Sequence, residues 1–295
     1  MQSLQQGVSP QERPSRNFRD LTRSSRELIL LAPSGATAPR LFRRCHADAE
    51  EYDALLAEMQ SLRGAVYLRD GAITSAQISG GRHRSAGDRE SWHLLVLDHD
   101  GHVCACSRYR EHPSHAGFDN MLVSKAALAH CPRWGAKVAG AVEQELALVR
   151  RLGLSCAEVG GWALREEVRG TSEAVRMVLT TYSLAQALGG GVGIGTATHR
   201  NGSASILRKM GARPLQHEDA ELPSYHDPQY QCEMEILRFY FWAPNPRYAA
   251  WISEIRAELP NIRVIADSEA KLEWSLARMG WEFARLRPAM AAGAA

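Results

Sequence analysis

From about residue 40 onward, apolar positions alternate between helical spacing and short uninterrupted runs. After a short strand candidate, "LFRRCH", the residues Tyr52, Leu55, Leu56, Met59 and Leu62 recur every three or four positions in "ADAEEYDALLAEMQSLRGAVY". That spacing predicts an amphipathic helix. Residues 71–90 are rich in Gly, Ser and Arg and predict a loop. "WHLLVLDHDGHVCACSRYR" predicts two strands joined at Asp98-His99-Asp100-Gly101, where Asp-Gly supplies the positive φ of a tight hairpin. A helix follows over about 135–152, closed by Gly153. Next come a strand at 156–164, a turn at 165–170 and a helix at 172–188. "GGGVGIGTATHR" predicts a strand, "NGSASILRKMG" a short helix ending at Gly211, and "MEILRFYFW" a further strand. Beyond Pro244 the pattern predicts a helix over 247–258, a strand in "IRVIAD" and a helix over 268–279.

This alternation predicts an α/β main domain around a mixed sheet, spanning residues 39–243. Residues 1–38 are polar and rich in Arg and Ser, which predicts a disordered tail. Residues 244–295 are expected to form a small C-terminal α/β extension. Composition changes this picture little. The net charge of +2 gives no reason to expect a nucleic-acid partner. Six cysteines without a CxxC pair predict a reducing compartment, the cytoplasm. No apolar run approaches the ~20 residues of a membrane helix.

The candidate chemistry centres on "LREEVRGTSEAVRMV". A strand exit meets a helix start there. The backbone N–H groups of Val168, Arg169, Gly170, Thr171 and Ser172, with the positive end of the helix dipole, make a site for phosphate oxygens. The alternative is an ordinary helix start capped by Thr171 or Ser172.

The order strand, Gly turn, long helix, strand "VGIGTAT", Asn201, Ala204 and "LRKMG" resembles the core of the GNAT superfamily of N-acyltransferases. In that family a Q/R-x-x-G-x-G/A turn grips the pyrophosphate of an acyl-coenzyme A. Here the turn reads Glu167-Val168-Arg169-Gly170-Thr171-Ser172, which matches at the central Gly. Arg208 stands where many members carry the Tyr that protonates the leaving thiolate, and arginine is no general acid near neutral pH. Tyr182, Tyr225 and Tyr230 are candidate substitutes. "SLRGAVYLRDG", "CACSRY" and "CAEVGGW" are similar to segments of acyl-homoserine-lactone autoinducer synthases and long-chain N-acyl amino acid synthases. The corresponding positions here are Arg63, Arg108 and Glu158.

These resemblances imply a mixed, mostly antiparallel central sheet flanked by helices, and acyl transfer from a thioester to a small-molecule amine. The co-substrate would be acyl-CoA or an acyl-phosphopantetheine on an acyl-carrier protein, with no permanently bound cofactor and no metal. Glu158 is the expected base, or else a structural carboxylate paired with Arg63 or Arg108. The Gly160-Gly161-Trp162 backbone would bond the pantetheine arm, and the Trp162 ring would wall an acyl tunnel or, as large strand aromatics more often do, join the core. Asn201 would bond the pantetheine or cap its helix. Tyr225, His226 and Tyr230 would lie over the acceptor, with Arg63 and Arg108 contributing to its binding. Arg150, Arg151, Arg165, Arg169 and Arg176 either greet an acidic carrier protein or are solvated surface charges.

Rival classes remain in view. A GNAT-like fold can bind a thioester without catalysis. His99, His102, Cys104, Cys106, His112 and His115 look like a metal site, with His102, Cys104 and Cys106 on one strand face. The spacing nonetheless fits a hairpin with surface histidines, and the paired-Cys spacing of zinc fingers is absent. "GTSEA" imitates a hydrolase nucleophile elbow, but Asp227 with His217 or His226 is in the wrong order or too close to complete it, and "EEVRG" is too long a run before the Ser. "GGGVGIG" enters a strand rather than a helix, the reverse of a dinucleotide-binding turn.

Overall fold

The computed structural model describes residues 26–35 and 41–268. The tail expected before residue 26 lies outside the described residues, as does nearly all of the helix expected over 268–279. Twelve strands are present among them: β1 (Glu27–Leu31), β2 (Arg44–Ala47), β3 (Trp92–Leu97), β4 (Val103–His112), β5 (Ser155–Leu164), β6 (Gly191–Thr198), β7 (Arg213–Pro214), β8 (Gln216–His217), β9 (Ala220–Glu221), β10 (Tyr225–Asp227), β11 (Cys232–Tyr240) and β12 (Arg263–Ala266). Ten form one sheet in the order β10-β11-β6-β5-β4-β3-β1-β12-β2, with β7 pairing to β11. Pairing is antiparallel except at β5–β6, β1–β12 and β12–β2.

Five helices cover the sheet: α1 (Ala49–Arg69), α2 (Gly135–Leu152), α3 (Glu173–Ala187), α4 (Ser203–Met210) and α5 (Pro246–Glu258). Asp48 caps α1 by accepting from the Glu51 N–H at 2.9 Å. The helical stripe read from sequence is the buried one: Tyr52, Leu55, Leu56, Met59 and Leu62 pack on Ile29, Leu31, Leu95 and Ile265. On the other half of the same face, Val138, Val142, Leu146 and Val149 of α2 pack on Cys156, Ile194 and Ile236. α3 and α5 cover the opposite face, where Leu179, Tyr182, Ile252 and Ile255 meet Tyr109, Phe239 and Phe241. Gly153 ends α2 at φ +66, as its position predicts.

Two sequence expectations are corrected. Residues 27–31, expected in the disordered tail, form β1, paired with β3 on one side and β12 on the other. Both faces of this strand are covered, so its apolar run does not alternate and carries no strand period. Residues 244–268, expected in a C-terminal α/β extension, are integrated with the main domain: β12 lies between β1 and β2 in its sheet, and Ser183 of α3 donates to the Ile252 carbonyl of α5 at 2.9 Å.

Candidate active site

β5 and β6 run parallel only from Ser155↔Gly191 to Glu158↔Ile194. Beyond that pair β5 stays with β4 as far as Leu164, while β6 stays with β11 as far as Thr198. The two strands splay, and the β6 side of β5 has no strand partner from Val159 onward. Two glycines shape the opening. A Cβ on Gly195 would stand 2.3 Å from the Val159 carbonyl oxygen, so only glycine permits the approach where the strands part. Gly161, at φ +65, forms a bulge: the partner of Cys106 is Ala163, but that of Arg108 is Gly160.

Glu158 sits at the apex of the splay and is buried. Neither Arg63 nor Arg108 is its hydrogen-bond partner, contrary to both pairings expected for it. His112 Nε2 lies 2.9 Å from Oε2, and the Val123 N–H donates to Oε1 at 2.9 Å. Burial pushes the carboxyl up. The His112 hydrogen bond and the Leu122 and Val123 amides outweigh it and hold the group below the ordinary range. Glu158 and His112 thus form a buried carboxylate–imidazole pair. His112 also lines a cleft of about 230 Å³ with Leu146, Arg150 and Cys156.

Register places Arg108, Arg110 and His112 of β4 opposite Gly160, Glu158 and Cys156, on one face of the sheet between α1 and α2. Arg63 of α1 reaches the same space and is 1% exposed. It grips Asp88 in a two-point ion pair, with Nη1 at 3.0 Å and Nη2 at 2.7 Å, and Nη2 also donates to the His83 carbonyl. Burial pushes the Asp88 carboxyl up, but Arg63 outweighs it and brings it to about 2. His93 donates from Nε2 to the Asp88 carbonyl at 2.7 Å, and burial pushes its imidazole down to about 4. Arg108 Nη1 stands 3.6 Å from Asp88. Tyr230 meets Tyr67 edge-on at 6.4 Å beside these arginines. Asp88 carries no sequence signal, because it lies in the Gly/Ser/Arg-rich loop. His112 was legible only as a possible zinc ligand.

The turn after β5 is a built helix start. Gly170 is left-handed at φ +73, with nothing within 4 Å of a Cβ placed there. Thr171 Oγ1 accepts from the Glu173 N–H at 3.3 Å and donates to the Val168 carbonyl at 2.7 Å. The capping role therefore falls to Thr171, while Ser172 makes no side-chain cap bond and Val168 is buried. Arg169 Nη2 donates to Asp70 at 2.6 Å, and Asn201 Nδ2, from the turn after β6, donates to the same oxygen at 3.1 Å. Asp70, at the end of α1, thereby ties together the exits of both splaying strands. Asn201 does not cap α4, whose N-cap is Gly202. Trp162 is half-buried against the α3-side core.

Other expected residues fall elsewhere. Tyr225 is buried in the cluster that holds Val123, its hydroxyl without a hydrogen-bond partner among the described residues, and burial pushes its phenol up. His226, next on the strand, faces the other way and is exposed. Tyr182 packs between Phe239 and Phe241, and Arg208 is bound to Glu235 at 2.5 Å. Arg150, Arg165, Arg169 and Arg176 each have a partner within the chain, the Ser114 and Ala116 carbonyls, Asp98, Asp70 and Glu173 respectively. Arg150, Arg169 and Arg151 are nonetheless exposed at the surface. A bulge at Cys104 sends it to a different apolar cluster from Cys106, which breaks the alternation assumed for zinc. Asp227 accepts from the N–H groups of Gln229 and Tyr230, a turn role, and His217 lies against Gly140 of α2.

The sequence matches no family model and no curated protein. In structure the chain is similar to BjaI, a CoA-dependent acyl-homoserine lactone synthase with SAM and isopentyl-CoA. The TM-score is 0.51 at 13% identity, covering 82% of this chain and 94% of that one. The same synthase with MTA gives 0.50 over the same shares at 13% identity. FeeM, an N-acyl amino acid synthase from uncultured soil microbes, gives 0.43 at 12% identity over 74% and 92%. This likeness shows that the chain shares the fold of that CoA-dependent acyl-homoserine lactone synthase.

Proposed function

We propose that this protein is an N-acyltransferase that moves an acyl group from acyl-CoA to the amino group of a small amine, with an amino acid as the class of acceptor. The observation that carries the reading is Glu158 at the apex of the β5–β6 splay, with Arg108, Arg110 and His112 ranged beside it. The splay offers unpaired β5 backbone to an extended amide-bearing arm. The left-handed Gly170 turn lies where the donor's phosphates would be held. Acyl-CoA is preferred over an acyl-carrier protein because Arg165, Arg169 and Arg176 near the turn are already paired with carboxylates of this chain.

In the reaction the amine nitrogen attacks the thioester carbonyl. The C–N bond forms, the C–S bond breaks, and the thiolate leaves. Glu158, coupled to His112, accepts the amine's proton. The buried Tyr225 hydroxyl is the candidate donor to the thiolate, the role that Arg208 cannot fill. His226, being exposed on the other side of β10, has no part in this scheme.

The test is mass spectrometry of products formed by purified protein from acyl-CoA and an amino-acid mixture. An N-acyl amino acid of the donor's chain length is expected, absent with Glu158→Gln. Tight acyl-CoA binding with no acylated product would instead favour a thioester-binding module.

A further inference from the structure

Arg108 and Arg110 are successive same-face residues of β4, so their Cα atoms stand about 7 Å apart. Arg108 is 7% exposed, yet its Nε and Nη1 have no hydrogen-bond partner. Its one charge contact is Asp88, already bound in two points by Arg63. Arg110 makes no hydrogen bond or ion pair with any described residue. Its guanidinium lies against Gly87, with Cζ 2.6 Å from where a Cβ would be. Both guanidinium groups therefore face the same Gly87–Asp88 segment, flanking the apex at Glu158.

The charges do not cancel. Arg63, Arg108 and Arg110 contribute three positive charges against two negative ones, on Asp88 and Glu158, an excess of one. Glu158 faces the same space with His112 and the Val123 N–H on its two oxygens. A buried guanidinium left without acceptors is costly unless a ligand supplies them. Arginine's planar fork is matched to carboxylate.

We infer that Arg108 and Arg110 form an acceptor subsite for a dicarboxylic amino acid, one carboxylate on each guanidinium, with the amine held at Glu158. This rests on the acyltransferase reading and narrows its acceptor from amino acids in general to those with a second carboxylate. Aspartate and glutamate carry two carboxylates, and two long guanidinium side chains from neighbouring same-face strand positions, both turned toward Gly87–Asp88, suit such a pair.

The experiment compares kcat/KM for glutamate and aspartate with that for glutamine, asparagine and tyrosine, at a fixed acyl-CoA concentration. Calorimetric binding of glutamate and glutamine to the free protein is measured alongside. We expect the acids to exceed their amides at least tenfold in kcat/KM, and that ratio to fall toward one in Arg110→Gln. Arg110 has no internal partner to lose, so this variant is expected to fold, and the wild-type ranking stands without it. Equal or better use of glutamine, asparagine or tyrosine overturns the subsite while leaving acyl transfer intact. Selective glutamate binding with no acylation of any amine supports the subsite and overturns the acyltransferase reading.

Discussion

Asp70 and Arg169 meet at 2.6 Å where the last turn of α1 touches the turn after β5. Asn201, from the turn after β6, joins the same carboxylate oxygen. One anion thus occupies cationic and amide groups at the mouth of the splay, where a donor's phosphates would also bind. Burial pushes the Asp70 carboxyl up, but Arg169 and Arg69 outweigh it and keep it ionised. Replacing it with Asn should free Arg169 and lower the acyl-CoA KM about fivefold, the equivalent of the ~1 kcal/mol that a partly exposed pair is worth. Steady-state kinetics check this. A raised KM would mean that Asp70 positions the turn rather than competing with the donor.

The Arg63–Asp88 pair should behave as a buried unit. Arg63→Ala leaves the Asp88 carboxylate buried without its main partner, and a loss of about 3–5 kcal/mol in denaturant unfolding is expected. The double variant Arg63→Ala/Asp88→Ala should lose less than the sum of the two single changes. Additive losses would contradict a direct coupling.

Acid should destabilise the protein in two stages. His93 is held neutral when folded, with its value pushed down to about 4. Between about pH 6.5 and 4 the unfolded chain therefore binds the extra proton, and stability falls as pH drops, by about 3 kcal/mol in all. Asp88, brought to about 2, adds stability above its unfolded value that is lost as pH falls from about 4 toward 2. Thermal unfolding from pH 8 to 3 checks the first stage, which His93→Gln should remove. A melting temperature constant between pH 6.5 and 4.5 would contradict it.

Gly170 separates backbone strain from ligand contact. Its φ of +73 disfavours any side chain, so Gly170→Ala should cost about 1 kcal/mol of stability. The space around it is open, so a larger residue meets no clash in the free protein beyond this backbone strain and should obstruct the donor. Gly170→Val is expected to fold and to lose acyl-CoA binding, measured by calorimetry. Unchanged binding would reduce the turn to a helix start.

Most of the fold was legible because its elements carry strong periods or turn residues. The α1 stripe, the Asp98–Gly101 hairpin and the α2 stop at Gly153 all fall where the sequence puts them. β1 was not legible, since "LILL" is buried on both faces and shows neither helical nor strand alternation. The place of β12 depends on pairing with β1, more than two hundred residues away in sequence, which local pattern does not encode. Of the site, Glu158, Arg63 and Arg108 were visible as residues but not as partners. Asp88, His112 and Asp70 lie in a loop, at a strand end and just past a helix, and only tertiary approach gives them meaning.

The central claim is amine-dependent acyl transfer at Glu158. Its most direct measurement is free-thiol release from acyl-CoA by purified protein, with and without amino acids, in wild type and Glu158→Gln. Release that requires the amine and falls about 10²–10⁴-fold in the variant is the predicted result. Release that is indifferent to the amine, or undiminished in Glu158→Gln, would contradict it.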